Sequence, residues 1–355
     1  MSKDNRIRIG ITHGDINGIG YEVIIKALND PRINEQFTLI VYGSSKVASY
    51  HKKMLNAPDF NFNLIKKADA ANPKRANIIN ISEEEIKIDL GKSTDVAGQY
   101  SLLALEKAII DLKQNEIDAL VTAPINKKNI QSTGFNFPGH TEYLAERFET
   151  KDVLMLMTSE NVRIGVITGH TALRNVHELV TEELILKKIN ILNDSLIKDF
   201  AIRRPKIALL GLNPHAGDQG IIGDEEEKII IPAIKKANEK GILAFGPYPA
   251  DGFFGSSNYL KFDGILAMYH DQGLIPFKTL CFEKGINFTA GLPFVRTSPG
   301  HGTAYDIAGQ NLASADSMRE AIYMAFDICK NRMEYKELTA NPLKKTVFHA
   351  EEDNA

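Results

Sequence analysis

Cysteine is nearly absent: Cys281 and Cys329 are the only two in 355 residues. That excludes a disulfide framework and suits a reducing compartment. Long apolar runs are missing too. No stretch reaches the roughly 18 residues of a membrane span. Met1-Ser2-Lys3-Asp4-Asn5 leads directly into Ile7, Ile9 and Ile11, with no apolar segment of the secretory kind before them. There is no long basic block, and the formal net charge is −3, so neither nucleic acid nor an anionic membrane surface is an expected partner. Internal repeats and low-complexity tracts are lacking as well. These absences leave a soluble, cytoplasmic chain as the expectation. With 43% hydrophobic and 25% charged residues, it has ordinary globular composition and is long enough for two domains.

What is present is an alternation of strand-length apolar runs and helical periodicity. Residues 6–12 and 37–42 read as strands, residues 44–55 as a helix, and residues 62–65 and 78–81 as short β pieces. Residues 94–114 form the clearest helix of the first third, with Ser101, Leu102, Leu105, Ala108, Ile109 and Leu112 at helical spacing. Residues 117–121 read as another strand, ending in Thr122-Ala123-Pro124-Ile125-Asn126-Lys127. Such alternation predicts an α/β fold with a mostly parallel sheet and helices on both faces. The turn His13-Gly14-Asp15-Ile16-Asn17-Gly18-Ile19-Gly20 could cradle a phosphate at a helix start. Its glycine spacing matches neither a dinucleotide fingerprint nor a Walker loop, so a tight structural turn is the favoured reading.

Three later runs share one pattern. Residues 162–169 end in His170, residues 206–214 end in His215, and residues 262–269 end in His270-Asp271-Gln272-Gly273. In open α/β sheets, ligands bind beyond the carboxyl ends of strands. One histidine there is usually structural; three of the nine in equivalent places favour a metal site. Three protein ligands leave a divalent ion open positions for substrate oxygens. Asp218, Asp251 and Asp271 are candidates to orient the imidazoles. His140 and Thr141, after Phe137-Pro138-Gly139, suit either a helix cap or an anion site. Lys278, Asn287 and Arg296 are placed on or beside loops, and residues 291–309 are dense in Gly, Pro and small polar residues. A cation beside a glycine-rich turn suits anions and nucleotides. Residues 316–330 close the fold as an amphipathic helix, and the rest reads as a polar tail.

His140-Thr141, Gly169-His170-Thr171, the run from Gly211 to Gly217, Tyr269-His270-Asp271-Gln272-Gly273 and the run from Gly291 to Gly309 resemble the 4-hydroxythreonine-4-phosphate dehydrogenases of vitamin B6 biosynthesis. His301-Gly302-Thr303-Ala304-Tyr305-Asp306-Ile307-Ala308-Gly309 is also similar to the cofactor-side loop of the isocitrate and isopropylmalate dehydrogenases. The resemblance covers about residues 6–330. It implies two three-layer α/β/α domains with a cleft between them: residues 1–125 with 290–335, then 126–289, followed by a tail at 336–355. It implies NAD, one divalent ion per site (Zn, Mg, Mn or Co), and a homodimer whose metal site is shared. His170 and His215 would come from one chain and His270 from the other. By motif match, His140, Thr141, Lys278, Asn287 and Arg296 would bind the phosphorylated substrate, and Gly300, His301, Gly302 and Asp306 the cofactor. Asp251, Asp271 and Lys278 are the candidates for a catalytic base.

The implied reaction oxidises 4-phosphooxy-L-threonine to a β-keto acid, which decarboxylates to 3-amino-2-oxopropyl phosphate. A dehydrogenase of a phosphorylated sugar acid is a close alternative. A phosphate acyltransferase of related fold is a remoter one, since it needs no strand-end histidines. The first turn departs from the family pattern, so no contacts are carried onto it.

Overall fold

Ile9 and Ile11 are wholly buried, and so are Gly10 and Thr12 beside them, so the first strand is covered on both faces. The same holds for the inner strands of a twelve-stranded sheet, but not for its edge strands, in this computed structural model, which describes residues 6–342. The strands are β1 (Arg8–Thr12), β2 (Thr38–Gly43), β3 (Asn63–Ile65), β4 (Asn77–Asn80), β5 (Ala119–Thr122) and β6 (Leu154–Thr158). They continue with β7 (Arg163–Thr168), β8 (Lys206–Leu210), β9 (Leu243–Tyr248), β10 (Gly264–Tyr269), β11 (Ile286–Ala290) and β12 (Val295–Pro299). Their order is β3-β4-β2-β1-β5-β12-β11-β6-β7-β10-β8-β9. The outer groups are parallel, and the antiparallel pairs β12–β11, β11–β6 and β6–β7 join them. One sheet therefore runs through both halves of the chain.

The helices follow local signals. Asp95–Lys113 is capped by Thr94, whose hydroxyl accepts from the Ala97 N–H, and Thr181 caps Glu182–Lys198 through Leu184. Asp316–Thr339 packs on β12 and β5 and runs nine residues beyond the Lys330 expected to end it. Good helix formers and the Lys330–Glu334 pair at i,i+4 carry it on. The expected tail thus begins as helix, and its residues 343–355 lie outside the described residues. Residues 286–290 pair as a strand with β6 and β12, and Gly291 (φ +91°) opens the turn that follows.

Alternation along the strands decides where the site can form. Leu39, Val41, Ile207, Leu209, Ile286 and Phe288 belong to one core that spans both halves on one face. On the other face Ile40, Tyr42 and Leu120 join one core, while Ala208, Leu210 and Ala267 join a separate one. Between these two cores, the strand positions facing that side include Asn287, Thr289, Arg296 and Ser298. Polar side chains at positions of period two interrupt the core there and leave a cleft.

Candidate active site

A cavity of about 240 Å³ occupies that interruption. Arg296 lies in its floor on β12, only 2% exposed. Its Nη2 and Nε donate to Thr122 Oγ1 at 2.6 and 3.2 Å, and its Nη1 donates to Thr289 Oγ1 at 3.2 Å. Among the described residues no carboxylate lies within 4.0 Å of its guanidinium. Burial pulls Arg296 down to about 10, with Glu142 opposing. A buried cation satisfied only by hydroxyls is costly unless an anion completes it. The floor of the cavity therefore favours a phosphate or carboxylate.

Around Arg296 stand His140, Thr141, Lys278 and Asn287. His140 and Thr141 open the helix His140–Arg147, but Gly139 holds the cap position and no side chain caps it. Thr141 Oγ1 instead meets Thr289 Oγ1 at 3.3 Å. Burial, then the charges of Arg296 and Lys127, hold His140 well below the usual histidine range, so it is neutral at neutral pH. Asn287 Oδ1 is buried without a partner among the described residues. Of the residues expected on or beside loops, Asn287 and Arg296 stand second in β11 and β12, each just after a loop, and Lys278 lies in the helix His270–Cys281. Gly291 opens the turn between the two strands, and its neighbours' composition hid the strand that follows.

His170 and His270 come together at the rim, with ring centroids 6.0 Å apart. His170 Nδ1 meets Glu142 Oε1 at 3.3 Å, and His270 Nδ1 meets Asp271 Oδ1 at 2.7 Å. A carboxylate at Nδ1 is the arrangement that leaves Nε2 to bind a metal. His170 Nε2 also lies 3.4 Å from Lys127 Nζ. Glu142 is thus the orienting group for His170, which the aspartates considered from sequence are not. His270 is not on a loop either, since it begins a helix at the end of β10. Gln272 supports that junction, accepting from Met268 N at 2.7 Å and donating to Gly211 O at 2.6 Å.

His215 is not in this cavity. Residues 215–219 all have positive φ, between 43° and 82°, and form a left-handed turn that carries His215 to the surface. Buried Glu226 holds the turn's base, with Oε1 accepting from Leu212 N at 2.7 Å and Asn213 N at 2.8 Å. Within one chain the pair that meets is therefore His170 with His270, and His215 stands apart from both. Among the described residues, no three His, Cys, Asp or Glu side chains gather into a metal-holding group. The donor set present fits a divalent ion in chemistry and is one ligand short in number.

Asp218 is exposed on the same turn. Asp251 and Asp271 line a separate, mostly apolar groove and not this cavity. Lys278 does line it. On the cofactor side Gly300, His301 and Gly302 line the cavity, whereas Asp306 is exposed outside it. A Cβ at Gly302 would meet nothing within 4 Å, which leaves the backbone open to a ligand. His301 Nε2 is buried without a partner among the described residues, and burial lowers its pKa. Two charged lining residues had no role assigned from sequence, Lys127 and Glu142. The strand-end rule applied to β5 points to the first. The second sits one residue past Thr141.

The first turn is structural. Residues 11–25 are all buried, so its N–H groups are closed to a phosphate. Gly14 has φ +69°, and a Cβ there would lie 2.3 Å from Pro124 O.

Fold and cavity together define an α/β enzyme whose cleft sets imidazoles and cations around a buried guanidinium. Comparison with known proteins gives the particular family. A family model described as pyridoxal phosphate biosynthetic protein PdxA matches residues 35–325. The chain is 52% identical over 353 residues to 4-hydroxythreonine-4-phosphate dehydrogenase of Bacteroides thetaiotaomicron, covering 99% of this chain and 97% of that one. It is 38% identical to a Clostridium botulinum protein whose name proposes a D-threonate 4-phosphate dehydrogenase, over 91% of this chain and 97% of that one. The crystal structure of 4-hydroxythreonine-4-phosphate dehydrogenase from Klebsiella pneumoniae superposes with a TM-score of 0.79 at 34% identity, covering 92% of this chain and all of that one. The chain belongs to the PdxA family and is a dehydrogenase. Among the described residues, no helix is long and apolar enough to cross a membrane.

Proposed function

We propose that this enzyme oxidises 4-phosphooxy-L-threonine with NAD at its secondary alcohol, the resulting β-keto acid losing carbon dioxide to give 3-amino-2-oxopropyl phosphate. The observation that carries the reading is Arg296, a buried cation with no anionic partner among the described residues, at the floor of the cleft. It receives the phosphate or carboxylate of the substrate, and Lys278 supplies a second charge on the wall. Neutral His140 contributes a hydrogen bond without adding to the cations' repulsion. Asn287 Oδ1 and Thr141 Oγ1 orient the substrate's polar groups.

The bound cofactor would accept hydride, and a divalent ion (Zn, Mg, Mn or Co) would supply Lewis acidity at the oxidised oxygen. His170 and His270 would hold that ion through Nε2, oriented by Glu142 and Asp271. The third ligand is assigned to His215 of a second copy. Its outward turn supports this, as does the apolar groove beside Asp271, where Ile275 is 64% exposed. Residues 300–302 would face NAD. Lys127, 3.4 Å from His170 Nε2, is the lining residue assigned to move a proton, in place of Asp251 and Asp271. The setting assigned is the cytoplasm, in vitamin B6 biosynthesis.

A second reading, oxidation of a 4-phospho-threonate or -erythronate, is favoured by the Clostridium botulinum relative's name. NADH formation by the purified chain, with each divalent ion in turn, separates the two on 4-phosphooxy-L-threonine against 4-phospho-D-threonate. A preference for the sugar acid replaces the first reading with the second. No NADH from either removes both.

A further inference from the structure

The first turn binds no phosphate, yet it contains a carboxylate that is unusually placed. Asp15 is 0% exposed. Among the described residues no lysine or arginine lies within 4.0 Å of it, and its partners are neutral donors. Oδ2 accepts from Tyr305 Oη at 2.7 Å and from Asn129 Nδ2 at 2.7 Å. Oδ1 accepts from Asn17 N at 2.8 Å. The Asp15 N–H donates to Pro124 O at 2.9 Å. A buried carboxylate without a cation is costly, and its retention calls for a geometric role.

Its partners lie on both sides of the cleft. Tyr305 is three residues past Gly302. Pro124 lines the cavity, and Asn129 is two residues past Lys127, which also lines it. A second tie reinforces the first: Ile19 N donates to Thr303 O at 3.1 Å, and a Cβ at Gly18 would come within 2.7 Å of that oxygen. The segment so held has no regular secondary structure between residues 301 and 310. Its position thus depends on such tethers and not on a helix or strand ladder.

We propose that Asp15 is a positioning residue, setting the loop of residues 300–309 in register with the wall of residues 122–129 so that one carboxylate spaces the two bound reactants. This rests on the reading of residues 300–302 as the cofactor side. The alignment of hydride donor and acceptor would then depend on a residue that touches neither.

The test uses the full-length enzyme in steady state, with Tyr305→Phe, Asp15→Asn and Gly302→Val. Tyr305→Phe removes one hydroxyl and is expected to raise KM for NAD about tenfold. It should leave KM for the phosphorylated substrate within about twofold. Asp15→Asn turns a donor toward donors and should raise both. In the double variant, KM for NAD should be no higher than in Asp15→Asn alone, since both changes cut the same tie. Gly302→Val projects into the cavity and reports whether the loop faces NAD at all. If it raises KM for NAD while Tyr305→Phe does not, Asp15 has no positioning role. If it leaves KM unchanged, the cofactor reading is wrong, and amide exchange of residues 300–309 decides the tie by itself. Faster exchange in Tyr305→Phe upholds it, and unchanged exchange overturns it.

Discussion

Arg296 donates to Thr122 Oγ1 through two of its nitrogens, at 2.6 and 3.2 Å, so the most buried cation of the cleft leans on a neutral hydroxyl. Stability and binding should therefore respond in opposite senses to its loss. Arg296→Met removes a desolvated charge and is predicted to leave the urea midpoint unchanged or higher. The same change should weaken substrate binding by about 2–5 kcal/mol, the range for breaking a buried charged pair. Calorimetric titration with the phosphorylated substrate, beside urea melts, checks both. A variant that unfolds more easily and still binds would contradict the assignment.

His170 and His270 meet within one chain, while His215 points outward. Mixed-chain experiments then have a definite pattern. Inactive His170→Ala and His215→Ala chains, allowed to exchange, should regain partial activity, because one site of the heterodimer holds both lesions and the other neither. His170→Ala mixed with His270→Ala should not recover, since each site keeps one lesion. The opposite pattern would return the sites to the division the family resemblance implied.

Glu226 is 2% exposed and anchors the left-handed turn through Leu212 N, Asn213 N and Asn213 Nδ2. Non-glycine residues in that conformation are strained. Glu226→Gln presents a donor to donors and is predicted to cost about 1–3 kcal/mol of stability. If His215 is a metal ligand, metal affinity should also fall about 10–100-fold, as for other supporting residues. Metal content after dialysis against a graded chelator measures the second effect independently of turnover. Retained metal in a destabilised variant would confine Glu226 to a structural role.

His13 and His51 stack on the two sides of Tyr21, at centroid distances of 5.1 and 5.2 Å. Burial pulls each down to about 4. The folded values lie below the unfolded one, so the neutral rings favour the fold. That contribution is complete above an unfolded pKa of about 6.5 and is lost as pH falls toward the folded value. Each ring should withdraw up to about 3 kcal/mol over that interval. Chemical denaturation at pH steps between neutrality and mild acid should show the decline, and His13→Phe should reduce its slope. Acid stability equal to that at neutrality would show that the rings are not held neutral.

Gly14→Ala tests the first turn. Positive φ and a Cβ placed 2.3 Å from Pro124 O combine to predict a loss of more than about 2 kcal/mol. The turn's own contact with phosphate should be unmeasurable in wild type and variant alike. A specific loss of phosphate binding with full stability would reopen the anion-cradle reading.

From its sequence alone this protein declares an α/β fold, through period-two runs and capped helices such as the one opened by Thr94. Apolar periodicity records burial locally, which is why those elements were legible. The same reasoning singled out His140, Thr141, His170, His270, Lys278, Asn287 and Arg296, all of which line one cavity. Asn287 and Arg296, expected on or beside loops, each stand second in a central strand, and Gly291 and Pro293 between them obscured those strands. Lys127 is within reach of the strand-end rule at β5, whereas Glu142 is not legible, since nothing local separates a cavity-facing glutamate from a solvated one. Where His215 points was decided by a run of left-handed residues that side-chain types do not announce. Asp15 acquires its significance only from partners 114 and 290 residues away. Sequence encodes which residues can ligate, cap or be buried. Convergence of distant side chains is a property of chain path, and only the tertiary structure sets it.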